Sequence, residues 1–131
     1  MLKLQDEKVF SNSDLKDFVV PARPADKRGY VYIVLDSVFP DEFKMGITIN
    51  VHKRLQQYNS DKPRKTAKVH YVSVLFDDAE MVETKILEAM YDRTPPTTMS
   101  REWFPIKYLD EAVFLVEEAE KEFVPWQNQS S

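Results

Sequence analysis

The chain has 131 residues, 43% of them hydrophobic and 12% aromatic, enough for one domain with its own core and too apolar for a disordered segment. It has no cysteine, which excludes disulfide partners and thiolate metal sites, and no apolar run near the roughly 18 residues of a membrane span. The net charge of −4 argues by itself against a nucleic-acid partner.

Residues 1–28 read as an N-terminal appendage and linker. SNSDLKDFVV offers N-cap residues before a short apolar face, and VPARPADKR carries two prolines. The opening MLKLQDEKVF lacks the apolar stretch of a signal peptide, so a cytoplasmic protein without membrane association is expected. GYVYIVLDS is rich in β-formers and predicts a first strand; VFPDE turns the chain, and FKMGIT predicts a second, shorter strand. Antiparallel pairing follows from the short connection.

Asn50 then stands as an N-cap before VHKRLQQYN, where Val51, Leu55 and Tyr58 share one helical face and Lys53 and Arg54 fall off it. Charge becomes polarised here. Between His52 and His70, six cations (Lys53, Arg54, Lys62, Arg64, Lys65, Lys68) face one anion, Asp61. VHYVSVLF predicts a third strand, and DDAEMVETKILEAMYDR a helix with aspartates at its N-terminus. TPPTTMS is irregular by its paired prolines, and REWFPI returns to apolar character. YLDEAVFLVEEAEKEF predicts a last amphipathic helix, where six acids between Leu109 and Phe123 face Lys121 alone. Such polarity can steer an anionic ligand to one face.

The fold class is α+β: a small, mostly antiparallel three-stranded sheet flanked by helices. A core domain spans 29–106, the last helix packs on it over 107–124, and 125–131 form a tail.

The chain has only two glycines, Gly29 and Gly46, each beside a predicted strand. Each alone suits a bulge or a close backbone approach. Gly29-Tyr30-Val31-Tyr32-Ile33, Lys44-Met45-Gly46-Ile47-Thr48, Arg54, a helix bearing Glu83-Thr84-Lys85-Ile86-Leu87, and Glu102-Trp103-Phe104 follow in order. Together they resemble the GIY-YIG nuclease superfamily, most closely the phage-type and meiotic-gene branch in which K-I-G-x-T replaces Y-I-G. The resemblance covers residues 29 to about 106. It implies a DNA endonuclease that hydrolyses phosphodiesters with Mg2+ or Mn2+. On it, Tyr32, Lys44, Arg54 and Glu83 are the catalytic positions and Glu83 is the metal ligand. A lone hard cation with one carboxylate and several waters is an ordinary way to hold magnesium. Arg54 would fork onto phosphate oxygens, and Tyr32 would take the proton of the attacking water.

Alternation puts Tyr30 on the same face as Tyr32, and Glu80 neighbours Glu83 at i+3, so the residues alone leave both choices open. Lys53, Lys62, Arg64, Lys65 and Lys68 would contact the DNA backbone. Tyr30, Gly46, His52 and Glu102 are further candidates, with Gly46 admitting the DNA backbone or the following helix. The pattern departs from the family at Lys44, where most members have a second tyrosine, and at Ile86, where many in the branch have histidine. The alternative reading is therefore a catalytically weak or inactive module that binds nucleic acid or a protein partner.

Overall fold

The computed structural model describes residues 15, 18, 19, 27–60, 64–93 and 103–123. Lys62 and Glu102 lie outside these residues, as do the TPPTTMS stretch, the tail and most of the segment before residue 27.

Four strands form one sheet in the order β3-β1-β2-β4, with every pairing antiparallel. β1 (Tyr30–Asp36) and β2 (Glu42–Thr48) make the expected hairpin. β1 is central, and Val31, Tyr32, Ile33 and Val34 are each no more than 1% exposed. A strand covered on both faces has to be apolar throughout, which is why YVYIV shows no alternation. Val31 and Ile33, with Phe43 and Met45 of β2, face one way. Over them lie α2 (Ala79–Arg93), through Val82, Ile86 and Met90, and α3 (Leu109–Glu122), through Ala112, Val113 and Val116. Tyr30, Tyr32 and Val34 face the other way, under α1 (Val51–Asn59) with its Val51, Leu55 and Tyr58. Leu15 and Phe18, in the stretch that reads as an appendage, belong to this second core. Phe18 sets its ring edge-on to Tyr30 at 5.5 Å.

The sheet has one strand more than the sequence suggests. β4 (Trp103–Pro105) is three residues long and pairs Phe104 with Phe43 and Trp103 with Lys44. Its proline is tolerated because the strand lies at the sheet edge. Phe104 is fully buried, with its ring 5.8 Å from Phe43 and 5.9 Å from Tyr91. Trp103 and Phe104 are thus sheet and core residues.

β3 (Ala67–Val72) is shorter at its C-terminal end than VHYVSVLF implies. Pairing with β1 slips between Ile33 and Val34, and beyond Val72 a serine takes over. Ser73 N–H donates to the Val31 carbonyl and its hydroxyl accepts from Val31 N–H, both at 2.9 Å. Phe76 then bridges Gly29 through a reciprocal pair of backbone bonds of 2.9 and 3.1 Å. A Cβ on Gly29 would lie 3.0 Å from the Ala79 Cβ, so this glycine lets the first turn of α2 rest on the sheet.

α3 is tied to the end of β3 by one carboxylate. Glu120 accepts from the Tyr71 hydroxyl and from Val74 N–H, each at 3.0 Å. Burial raises the Glu120 pKa, a rise these two bonds partly offset. Burial and the adjacent glutamate raise Tyr71 as well.

Candidate nucleic-acid interface

The hairpin and α1 build the centre of the site. Asn50, extended at φ −145°, caps α1 by accepting from Lys53 N–H at 2.9 Å. The Thr48 hydroxyl accepts from Asn50 N–H at 3.1 Å, fixing the step from strand to helix. The second turn of α1 therefore crosses the face that carries Tyr32, and Arg54 Nη1 donates to the Tyr32 hydroxyl at 3.4 Å.

Gly46 explains how the tyrosine fits. It lies opposite Tyr32 in the hairpin register. A Cβ there would stand 2.7 Å from the Tyr32 hydroxyl and 2.9 Å from Cζ. The space that a side chain would fill is occupied by the tyrosine, not left open for a DNA backbone or a helix, which corrects the expectation for this glycine. Tyr32 itself is 1% exposed, so its hydroxyl lies beneath the surface, in contact with Arg54. Among the described residues, the other guanidinium N–H groups of Arg54 meet no partner.

Lys44 joins the same face, its Nζ 6.0 Å from the centre of the Tyr58 ring. Lys53 is exposed beside Arg54, and His52 is half-buried. Tyr30 shares the face but is packed in the core, and burial raises its pKa despite the opposing pull of the Arg28 charge. Its hydroxyl keeps its proton at neutral pH, which makes it a poor general base.

Glu83 is half-buried on α2, with Oε2 enclosed by protein. It lies one turn past Ala79 and Glu80, which line a cleft of about 240 Å3 with Arg28, Gly29 and Thr48. Ile86, one turn on from Glu83, is 3% exposed in the core, so this position faces the sheet. Among the described residues, no three His, Asp or Glu side chains gather closely enough to hold a metal ion. One glutamate with waters and substrate phosphates still suits magnesium.

Arg64, Lys65 and Lys68 gather by the β1–β2 turn, at the opposite end of β1 from Gly29. Arg28, which the cleft by α2 also includes, follows the two prolines of VPARPADKR. In the sequence it is marked only by its place two residues before β1.

The T5orf172 domain model matches residues 29–124, and the chain belongs to that family. It is a family of nuclease-like, DNA-binding domains often found in homing-endonuclease-like proteins, which is compatible with a nucleic-acid-related function. The match overturns the resemblance to GIY-YIG nucleases, from which this family is distinct. The physical reason is that the short motifs behind that resemblance answer to packing: Gly29 to Ala79, Gly46 to Tyr32, Trp103 and Phe104 to the edge strand. No curated protein and no solved structure matches the chain. Among the described residues, no helix is long and apolar enough to cross a membrane.

Proposed function

We propose that the chain binds DNA across the α1–β2 face and hydrolyses phosphodiesters there as a metal-dependent endonuclease. The observation that carries this reading is the Arg54–Tyr32 contact. A guanidinium steadied through one nitrogen keeps its remaining N–H groups for phosphate oxygens, and a fork of this kind is the preferred partner of phosphate. Gly46 keeps the tyrosine in place, and Lys44 and Lys53 add positive charge on either side.

In this mechanism Arg54 holds the scissile phosphate and stabilises the charge that builds on it. Tyr32 orients Arg54. Glu83, a half-buried carboxylate, is the residue to hold a divalent ion, magnesium or manganese. Such an ion would polarise the phosphoryl oxygen and steady the leaving oxygen.

A plasmid-nicking assay with magnesium, against the same assay with chelator, tests the reading. Cleavage should need the ion, and Arg54→Ala should slow it by roughly 10²-fold, the scale of losing one charge-stabilising donor. Glu83→Ala should abolish it with the fold retained, since alanine suits a helix. Full activity in either variant overturns the assignment. The burial of Tyr32 favours a second reading, DNA binding without cleavage, because the hydroxyl does not reach the surface to take a proton from water. A chain that shifts DNA equally with magnesium and with chelator, and never cuts it, is that binder.

A further inference from the structure

A larger cleft, of about 490 Å3, opens between the β1–β2 turn, the start of β3 and Ile106. Its size is that of a small-molecule site. Leu35, Phe39 and Ile106 line it with apolar surface. Arg64, Lys65 and Lys68 stand exposed along it and form no ion pair among the described residues. Its walls are tied by backbone bonds from Phe39 N–H to the Asp36 carbonyl at 2.8 Å and from Ile106 N–H to the Asp41 carbonyl at 2.8 Å. The Asp36 side chain accepts from Val38 N–H at 2.9 Å, which fixes the turn. The cleft is therefore preformed.

Glu42 and Thr66 line it, and among the described residues neither side chain takes part in a hydrogen bond; Glu42 Oε1 and Thr66 Oγ1 are themselves buried. Leaving a half-buried carboxylate without a donor is unfavourable. A ligand that relieved it would carry an N–H group toward Glu42, a flat apolar body over Phe39, and negative charge toward the three cations. A nucleotide combines all three.

We propose that this cleft takes one unstacked nucleotide whose base carries an exocyclic amine, with the amine donating to Glu42 and the phosphate near Arg64, Lys65 and Lys68. Guanine matches best, because N1–H and the N2 amine stand side by side and present two donors to a carboxylate. Cytosine and adenine offer the amine beside a ring nitrogen that accepts. Thymine matches worst: its single N–H lies between two carbonyls, which repel a carboxylate. Thr66, both donor and acceptor, serves any of them. Where the nucleotide belongs to a DNA strand, the inference rests on the DNA-binding reading above, and it sets the substrate class as single-stranded or locally unpaired DNA. Extracting a base from a duplex costs a few kcal/mol, so unpaired strands enter more readily.

The test is calorimetric titration of the full chain with dGMP, dCMP, dAMP, dTMP and inorganic phosphate. dGMP should bind most tightly, and the three amine-bearing nucleotides at least about tenfold more tightly than dTMP or phosphate, near the lower end of what a good base contact discriminates. Glu42→Leu should bring all four nucleotides to the dTMP level, and Lys65→Ala with Lys68→Ala should weaken all four alike. Equal affinity across the four with the unmodified chain, or no binding of any of them at millimolar concentration, overturns the proposal without depending on a variant. A short oligo(dC) against dCMP identifies the source: a strand that binds more tightly than dCMP makes the site part of the DNA surface, whereas dCMP binding with no strand binding makes the ligand a free nucleotide. If Arg54-dependent DNA binding persists while the nucleotides bind alike, this inference falls alone. If DNA does not bind and the preference for amines remains, the functional reading falls and the cleft stands.

Discussion

Replacing Gly46 with alanine sets two effects of opposite sign against each other. Glycine inside a strand costs roughly 0.5–1 kcal/mol relative to alanine, so on backbone preference alone Gly46→Ala should stabilise the protein. The packing says otherwise. The new Cβ would meet the Tyr32 hydroxyl at 2.7 Å, Cζ at 2.9 Å and Cε2 at 3.3 Å. The ring must retreat by about 0.7 Å to restore an ordinary contact of about 3.4 Å, and overpacking a filled core costs roughly 1–3 kcal/mol. A tyrosine at the surface could swing aside, but Tyr32 is 1% exposed on the central strand. The net expectation is a loss of about 0.5–2 kcal/mol, read from urea unfolding with an unchanged slope. Moving the ring also draws its hydroxyl from Arg54, a bond that is already 3.4 Å long, so DNA affinity should fall as well. The same substitution in a Tyr32→Leu background, which lacks the hydroxyl and Cζ, should be neutral or stabilising. The double-mutant cycle then carries a coupling of about 1 kcal/mol or more. Additive effects, or a Gly46→Ala protein more stable than the parent, would refute the packing account and with it the claim that Gly46 positions Arg54 through Tyr32.

Three further outcomes are expected. Asn59 donates to the Ala67 carbonyl at 3.2 Å and accepts from Ala67 N–H at 3.0 Å, both buried, so Asn59→Ala should cost about 2–4 kcal/mol by denaturant unfolding, since it strands two backbone groups. The raised pKa of Glu120 makes its contribution to stability full below the unfolded value near 4.5 and lost as pH rises through the folded value. The melting temperature of Glu120→Gln relative to the parent should therefore climb as pH rises from about 4 through that folded value, and a flat difference would remove Glu120 as the titrating group. DNA affinity should fall with salt at a log–log slope of about −3 to −4.5 for three to five phosphate contacts, and reversing Arg64 and Lys65 to glutamate should flatten it; a slope near zero in the parent points to a protein partner.

What could be read from the sequence follows contact range. The hairpin and α1 are local: β-branched runs, a short turn and a capping asparagine lie within about thirty consecutive residues, and the structure keeps each of them. Even the Tyr32–Gly46 pairing was within reach, because a turn centred on Phe39 sets residues seven before and seven after it opposite each other. What was missing was the size of the tyrosine set against the missing side chain across from it. β4 offered no such handle, since three residues have no period to read and their partner strand lies some sixty positions earlier. The nucleotide cleft was further out of reach. Glu42, Thr66 and Ile106 come from three separate segments, and only the closed fold shows that a carboxylate which looks like an ordinary surface charge has a buried oxygen. The short glycine motifs misled for the same reason. A glycine reports that something comes close to the backbone and not what comes close, and here the occupants are Ala79 and Tyr32, both from the protein itself. On the proposed function, the α1–β2 face therefore rests on Arg54, which joins the buried tyrosine to the surface.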